Sequence, residues 1–230
     1  MFAVSERWRA TYPDGMVAAV VIHDAKNVAA HAELDARKRA LEANIASRYL
    51  SAEDVKSARN IQPYVAYYKR FGKTYHVLQQ LRTVALKGAT LPTVSGLVDV
   101  MFIAEMKHLL LTAGHDLNTV SPPVILDAAA GTEAYTKLNQ ESQVAKESDM
   151  MVIDAQGVLS SIIHGPDYRS RITLETSDVM YIVYAPSGII RDEVMHHVRD
   201  IVAGVLAFAT QARVEPVRLL TAAGVAEVAL

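Results

Sequence analysis

The hydrophobic period changes midway along this chain, and that change limits the fold more than any other feature. Up to about residue 111 the repeat is helical. The run 28–50 places Leu34, Leu41, Ile45 and Tyr49 on one face, with Glu33 and Arg37 paired on the polar side. Ser51 and Asp54 fit a capping box for a short helix. Pro63 opens another helix, which Gly72 ends. Thr74 caps a helix over 75–87, and Ser95 caps one that runs to about Leu111 and is closed by Gly114. Farther on, 124–127, 150–154, 158–163, 168–176 and 179–185 are short β-rich runs separated by turn residues. The span 191–210 is a long amphipathic helix, 217–220 a closing edge strand, and 16–22 a buried strand near the start. One strand, several helices, a run of strands and a helix is the order of an α+β fold with a mainly antiparallel sheet, not of a βαβ winding. One domain is expected over 1–230; sub-lobes of about 1–120 and 121–230 are the other division.

Charge is distributed unevenly. Residues 55–98 hold seven bases and no acid, while the rest of the chain sets 16 bases against 25 acids. Five of the 15 aromatic residues, Tyr64, Tyr67, Tyr68, Phe71 and Tyr75, lie in that basic segment. Interleaved cations and rings suit a polyanion with stackable bases; two amphipathic helices with solvated bases and core tyrosines are the other reading. The candidate RNA contacts are Lys69, Arg70, Lys73, Tyr75 and Arg82. A net charge of −2 makes any such contact local.

With no cysteine, disulfides and thiolate metal sites are excluded. Glu6 and Arg7 precede any apolar run, so no signal peptide is expected, and no apolar stretch reaches the roughly 20 residues of a spanning helix. A cytoplasmic protein without membrane contact is the expectation. The eight histidines show no metal spacing, since the adjacent His196 and His197 point about 100° apart on a helix. Neither a metal nor a cofactor is expected. Walker, dinucleotide-binding, zincin and serine-elbow signatures are missing.

Three places carry chemistry. Asp99 lies in a helix that is apolar nearly all round, where a carboxylate must be hydrogen-bonded, paired or protonated. It either caps backbone or pairs with a buried base, or it holds a ligand amine. His115-Asp116 is either a turn or a polar pair on a cleft, with His115 able to relay a proton. In the run 168–176, Arg169, Arg171, Thr173 and Glu175 alternate onto one strand face, which is either solvated or grips an anion.

Lys87-Gly88-x-x-Leu91-Pro92, then Val98-Asp99 in a buried helix, then His115-Asp116-Leu117, resemble the free-standing form of the B3/B4 tRNA-binding domain. That domain otherwise sits inside the β subunit of phenylalanyl-tRNA synthetase. Gly131-x-Glu133, Asp154 with Gly157, and Arg171, Thr173 and Thr176 fit later elements of the same pattern. Two positions depart from it. Ala113 stands where the synthetase has a histidine, and Phe102 where the free-standing form usually has asparagine. The resemblance implies a metal-free editing site that hydrolyses tyrosine wrongly esterified to tRNA. It also implies tRNA, aminoacyl-tRNA or a small amino acid as partner. In this chain His115 and Glu133 would be catalytic, and Asp99, Asp116, Gly131, Arg171 and Thr173 would bind substrate. Non-catalytic binding of tRNA or of a free amino acid is the alternative, and a partner-binding domain is a third.

Overall fold

The computed structural model describes residues 2–230. A strand β1 (Phe2–Val4) and a short helix α1 (Glu6–Thr11) lead into β2 (Met16–His23). Five helices follow: α2 (Ala32–Arg48), α3 (Ala52–Ser57), α4 (Ile61–Arg70), α5 (His76–Lys87) and α6 (Gly96–His108). Next come β3 (Leu111–Asp116), β4 (Val124–Ala128), β5 (Ala134–Thr136), β6 (Ser142–Val144), β7 (Met150–Asp154), β8 (Gly157–Ser161), β9 (Gly165–Pro166) and β10 (Val179–Ala185). The long helix α7 (Arg191–Phe208) precedes β11 (Arg213–Val214), β12 (Val217–Thr221) and β13 (Gly224–Val228). The fold is α+β.

The central sheet is antiparallel, in the order β13-β12-β2-β10-β3, with β11 also on β2. A second sheet runs β1-β4-β7-β8-β9, parallel only between β1 and β4. Every residue of β10 is buried because both of its faces are covered. Tyr181 donates to the Leu97 carbonyl of α6 at 2.8 Å, whereas Tyr184 reaches Ser160 of β8 on the other face, also at 2.8 Å. Helices α6 and α7 therefore roof one side of the central sheet, and the second sheet covers the other.

Local chemistry explains most boundaries. Ser51 and Asp54 complete the capping box of α3, as the sequence predicts. Gly88, left-handed at φ 65°, ends α5. Helix α6 stops at His108 rather than near Leu111, with Leu109 left-handed at φ 61°. The residues after it form β3, whose Leu111 amide bonds to the Tyr64 hydroxyl at 2.9 Å while the strand pairs along β10. Tertiary pairing thus overrides a continuing apolar pattern.

The predicted strand 168–176 is irregular. Asp167 accepts the Ser170 amide at 3.1 Å, and Thr176 accepts the Thr173 amide at 2.9 Å. These short side-chain bonds satisfy the backbone locally and displace a ladder. The alternation proposed for Arg169, Arg171, Thr173 and Glu175 therefore does not exist. Strand β12 is interior rather than an edge, because β13 lies outside it.

Candidate functional site

Helix α6 is buried on three sides, and each side does something different. Asp99 faces α2, where Lys38 approaches it at 2.9 Å. Val100 meets Gly204 of α7, so closely that a methyl group on Gly204 would lie 2.7 Å from a Val100 methyl. The third stripe, Val98, Met101, Phe102 and Glu105, follows the spacing of one helical face and opens onto a cavity of about 510 Å³. The cavity is mostly apolar. Its floor is β3 from Leu111 to Gly114, the edge strand of the central sheet. The β8–β9 turn closes it opposite α6, and His76 and Arg171 reach it from two further segments.

Glu105 is the one carboxylic acid that lines this cavity. It is 4% exposed and accepts the Thr112 amide at 2.7 Å. Burial raises its pKa to about 8, against the opposing pull of that amide, so near neutral pH the group holds a proton. In β3 the Thr112 amide points away from β10 to Glu105, and the Asp116 amide points away to the Ser170 carbonyl at 2.7 Å. The amide of Gly114 shares that outward direction by the alternation of an antiparallel edge, and Gly114 lines the cavity. An apolar chamber, a protonatable carboxyl group and an outward backbone donor can hold a small molecule with an apolar body and a polar head.

The residues singled out in the sequence are scattered. Of Asp99, His115, Asp116 and Glu133, none lines the cavity. Asp99 is fully buried between Lys38 and the Val94 amide, the latter at 2.9 Å, so it is filled by its own chain. His115 is fully buried, with Ser170 Oγ 2.7 Å from Nδ1 and Ser160 Oγ 3.1 Å from Nε2. Burial, with a smaller push from Arg169, lowers its pKa to about 3, and it stays neutral. It ties the two sheets together and has no free nitrogen with which to relay a proton. Asp116 accepts the Asn118 amide at 3.0 Å and the Thr176 hydroxyl at 2.8 Å, the turn arrangement.

Glu133 gathers the amides of Ala130, Gly131 and Thr132 at 2.9, 3.1 and 3.1 Å. Burial pushes this carboxyl group up, and the amides with Arg7 outweigh it, holding the pKa below the usual range. Gly131 therefore belongs to a loop stapled by Glu133, beside a shallow groove shared with Arg70 and Lys146. Its amide is already bonded. The Thr173 hydroxyl accepts the Glu175 amide at 3.2 Å, and its carbonyl accepts Asn27 Nδ2 at 2.8 Å. Arg171 alone of the predicted substrate residues lines the cavity. Its guanidinium lies 3.7 Å from the Tyr168 ring centroid and donates to the Tyr168 carbonyl at 2.8 Å.

The basic segment divides in two. Its tyrosines are core: Tyr64, Tyr67, Tyr68 and Tyr75 are at most 3% exposed. Tyr75 is fully buried and stacks on Tyr64 at 4.4 Å, so it is corrected from a candidate base-stacking ring to a packing residue. Its cations point outward. Lys69, Arg70, Lys73 and Arg82 are exposed and form no ion pair among the described residues. Arg70 also rests against Tyr12, Tyr67 and Phe71, at 5.4, 5.6 and 5.6 Å.

Glu105 and His76 escape a sequence reading. The spacing from Val98 to Glu105 was the available signal, yet Asp99 draws attention first as the acid nearest the middle of an apolar helix. Among the described residues no three His, Asp or Glu side chains cluster as metal ligands would, and no helix is long and apolar enough to cross a membrane.

A family model described as "B3/4 domain" matches residues 64–200. No curated protein matches the chain. Among solved structures, an N-terminal fragment of the phenylalanyl-tRNA synthetase β subunit from Pyrococcus horikoshii aligns with a TM-score of 0.47 and 15% identity. The alignment covers 94% of this chain and 50% of that one, so the chain spans half the length of that structure.

Proposed function

The chain belongs to the B3/4 domain family, and from that membership we propose that its α6–β3 cavity binds the amino-acid part of a ligand, as a free amino acid or as an ester on tRNA. One observation carries the reading: a mostly apolar chamber of about 510 Å³ containing a single buried carboxylic acid, Glu105. An apolar side chain fills the space between Met101, Phe102 and Ala113. The ligand's ammonium pairs with Glu105, which releases its proton to receive it. Arg171 sits at the rim, where a carboxylate or ester oxygen would lie.

The departures from the family pattern support binding over catalysis. Phe102 and Ala113, which stand where the pattern has polar side chains, both line the cavity. His115, Asp116 and Glu133 are consumed by structural hydrogen bonds. The direct test is calorimetry with phenylalanine, tyrosine, leucine and their amides, beside the Ala113→Leu variant. Binding in the range of about 1 μM to 1 mM, abolished by the added side chain in a protein that still melts normally, is the expected result. Absence of heat with every one of these ligands would remove the reading.

Ester hydrolysis in trans is a second reading, favoured by Glu105. A carboxyl group with pKa about 8 is a base matched to neutral or mildly alkaline conditions, and the Gly114 amide is a nearby donor for an oxyanion. Deacylation of tyrosyl- and phenylalanyl-tRNA by the wild type, lost in Glu105→Gln, distinguishes it from simple binding.

A further inference from the structure

A second cavity, of about 460 Å³, lies where the last turns of α2 and α6 meet the α3–α4 turn and the first turn of α7. It shares no lining residue with the α6–β3 chamber: Glu105 lines one, and its neighbour Met106 lines the other. Three cations reach it from three segments, Arg48 from α2, Arg59 from the α3–α4 turn and Lys107 from α6. All three are exposed. Arg48 lies 5.3 Å from the Tyr49 ring centroid and forms no ion pair among the described residues. Arg59 faces Glu193 at 3.6 Å, and Lys107 faces Asp200 at 2.6 Å. Glu193 is the one acid that lines the cavity beside them.

Cations in the last turns of α2 and α6 offset the carbonyl ends of those helices, which accounts for Arg48 and Lys107. It accounts neither for Arg59, which belongs to a turn, nor for the room left among the three. Acceptors lie beside these donors. Asn60 is 8% exposed; its Nδ2 donates to the His108 carbonyl at 2.9 Å and lies 3.5 Å from the Glu193 carboxylate. Both neighbours are acceptors, which fixes the orientation of the amide and leaves Oδ1 without a partner among the described residues. The cavity thus presents cationic donors together with a carboxylate and an amide oxygen. A ligand that satisfies both sets carries an oxyanion and also hydroxyl donors. A carboxylate brings two oxygens and one charge to three cations, whereas a phosphomonoester brings three acceptor oxygens and a charge near −2.

We infer that this second cavity binds a small phosphomonoester with a hydroxyl-bearing body, of the class of sugar phosphates and nucleoside monophosphates. Arg48, Arg59 and Lys107 take the phosphate oxygens. Glu193 and Asn60 Oδ1 accept from hydroxyl groups of the body, and the volume lies within the range of about 300–1,000 Å³ usual for small-molecule sites. Binding uses none of the groups that line the α6–β3 cavity, so the two sites stand or fall separately.

The test is calorimetry on the full chain with ribose 5-phosphate and adenosine monophosphate as probes, beside inorganic phosphate. Wild type is compared with Arg48→Glu/Arg59→Glu, with Glu193→Gln, and with Lys146→Glu as a control in the groove beside Gly131. A thermal melt of each variant establishes that it is folded. Both phosphomonoesters should bind wild type with Kd between about 10 μM and 1 mM. The double variant should lose about tenfold or more, and Lys146→Glu should stay within about twofold. In Glu193→Gln the preference for ribose 5-phosphate over inorganic phosphate should fall by about two- to fivefold, because only the sugar uses that carboxylate. No heat with either phosphomonoester, or equal affinity in wild type and the double variant, overturns the site. Equal affinity of wild type for ribose 5-phosphate and inorganic phosphate overturns the hydroxyl-bearing ligand. A loss in Lys146→Glu as large as that in the double variant shows general attraction by surface charge and overturns the site as well. Each of these outcomes leaves the α6–β3 cavity untouched, because its probes are amino acids.

Discussion

Glu105 is the residue through which burial couples the stability of this protein to pH, and the one on which the proposed ligand binding depends. Its folded pKa of about 8 lies above the ordinary value of 4.5 because burial disfavours the anion. Between those two values the folded protein keeps a proton that the unfolded chain has released. Stability contributed by this group therefore falls as pH rises through the window, by up to about 1.4 kcal/mol per pH unit. In Glu105→Gln the Thr112 amide keeps an acceptor and the titration disappears. Denaturant titrations should show the variant gaining on the order of 1–3 kcal/mol over wild type between about pH 5 and pH 8. A ligand ammonium needs the ionised carboxylate, so its affinity should rise over the same interval and lose that dependence in the variant. Parallel pH profiles for the two proteins would contradict the assignment. Asp99, the acid that stands out in the sequence, has the opposite character: Lys38 and the Val94 amide use it up. Sequence alone shows that a carboxylate in such a helix must be satisfied, but the base that satisfies it lies 61 positions away.

At the level of elements, what was legible follows from local pattern and what was not follows from tertiary pairing. Helices α2 to α5 and α7 are recognisable from apolar stripes, the capping box of α3 and Gly88 after α5, although Tyr75 and not Thr74 stands at the start of α5, without a side-chain cap; β2, β4, β7, β8 and β10 are recognisable from short β-rich runs. Strand β3 was hidden because Leu109, Leu110 and Leu111 continue the apolar run of α6, and only β10 and Tyr64 turn that run into an edge. The segment 168–176 alternates like a strand, yet Asp167 and Thr176 fold it back locally. The cavity needs α6 and β3 together, so it could not be seen until the strand was. Its roof is set by the closeness of α6 to α7 at Gly204. A methyl group there would meet the Val100 Cγ1 at 2.7 Å and Cβ at 3.0 Å, neither of which lies at the end of a long flexible chain. Gly204→Ala should push the helices apart at a cost of about 1–3 kcal/mol, outweighing the gain in helix propensity. A thermal melt of the variant checks this, and an unchanged or raised midpoint would show that the two helices have slack.

For the whole molecule, the two halves visible in the sequence are interlocked rather than side by side. Strand β10, from the second half, lies between β2 and β3 of the first, and β12 returns to the free side of β2. Tyr184 and His115 then bind the central sheet to Ser160 of the second sheet, and β1 at the start of the chain pairs with β4 beyond residue 120. One buried apolar cluster runs through Trp8, Tyr64, Leu97, Leu126, Tyr181 and Val198, drawn from both halves. A cut near residue 120 would strip β2 of its three partners, β10, β11 and β12, and leave β10 with no partner on either side. The long-range pairs must form together, so the chain should unfold as one unit, with calorimetric and van't Hoff enthalpies in agreement. Fragments 1–120 and 121–230, expressed separately, should each lack the slow amide exchange of the central sheet, because every ladder of β10 crosses the cut. Two resolved transitions, or a fragment that protects its own amides, would show that the lobes are independent. In that case the cavity would be an interface between them, because α6 and β3 lie before the cut and the β8–β9 turn lies after it.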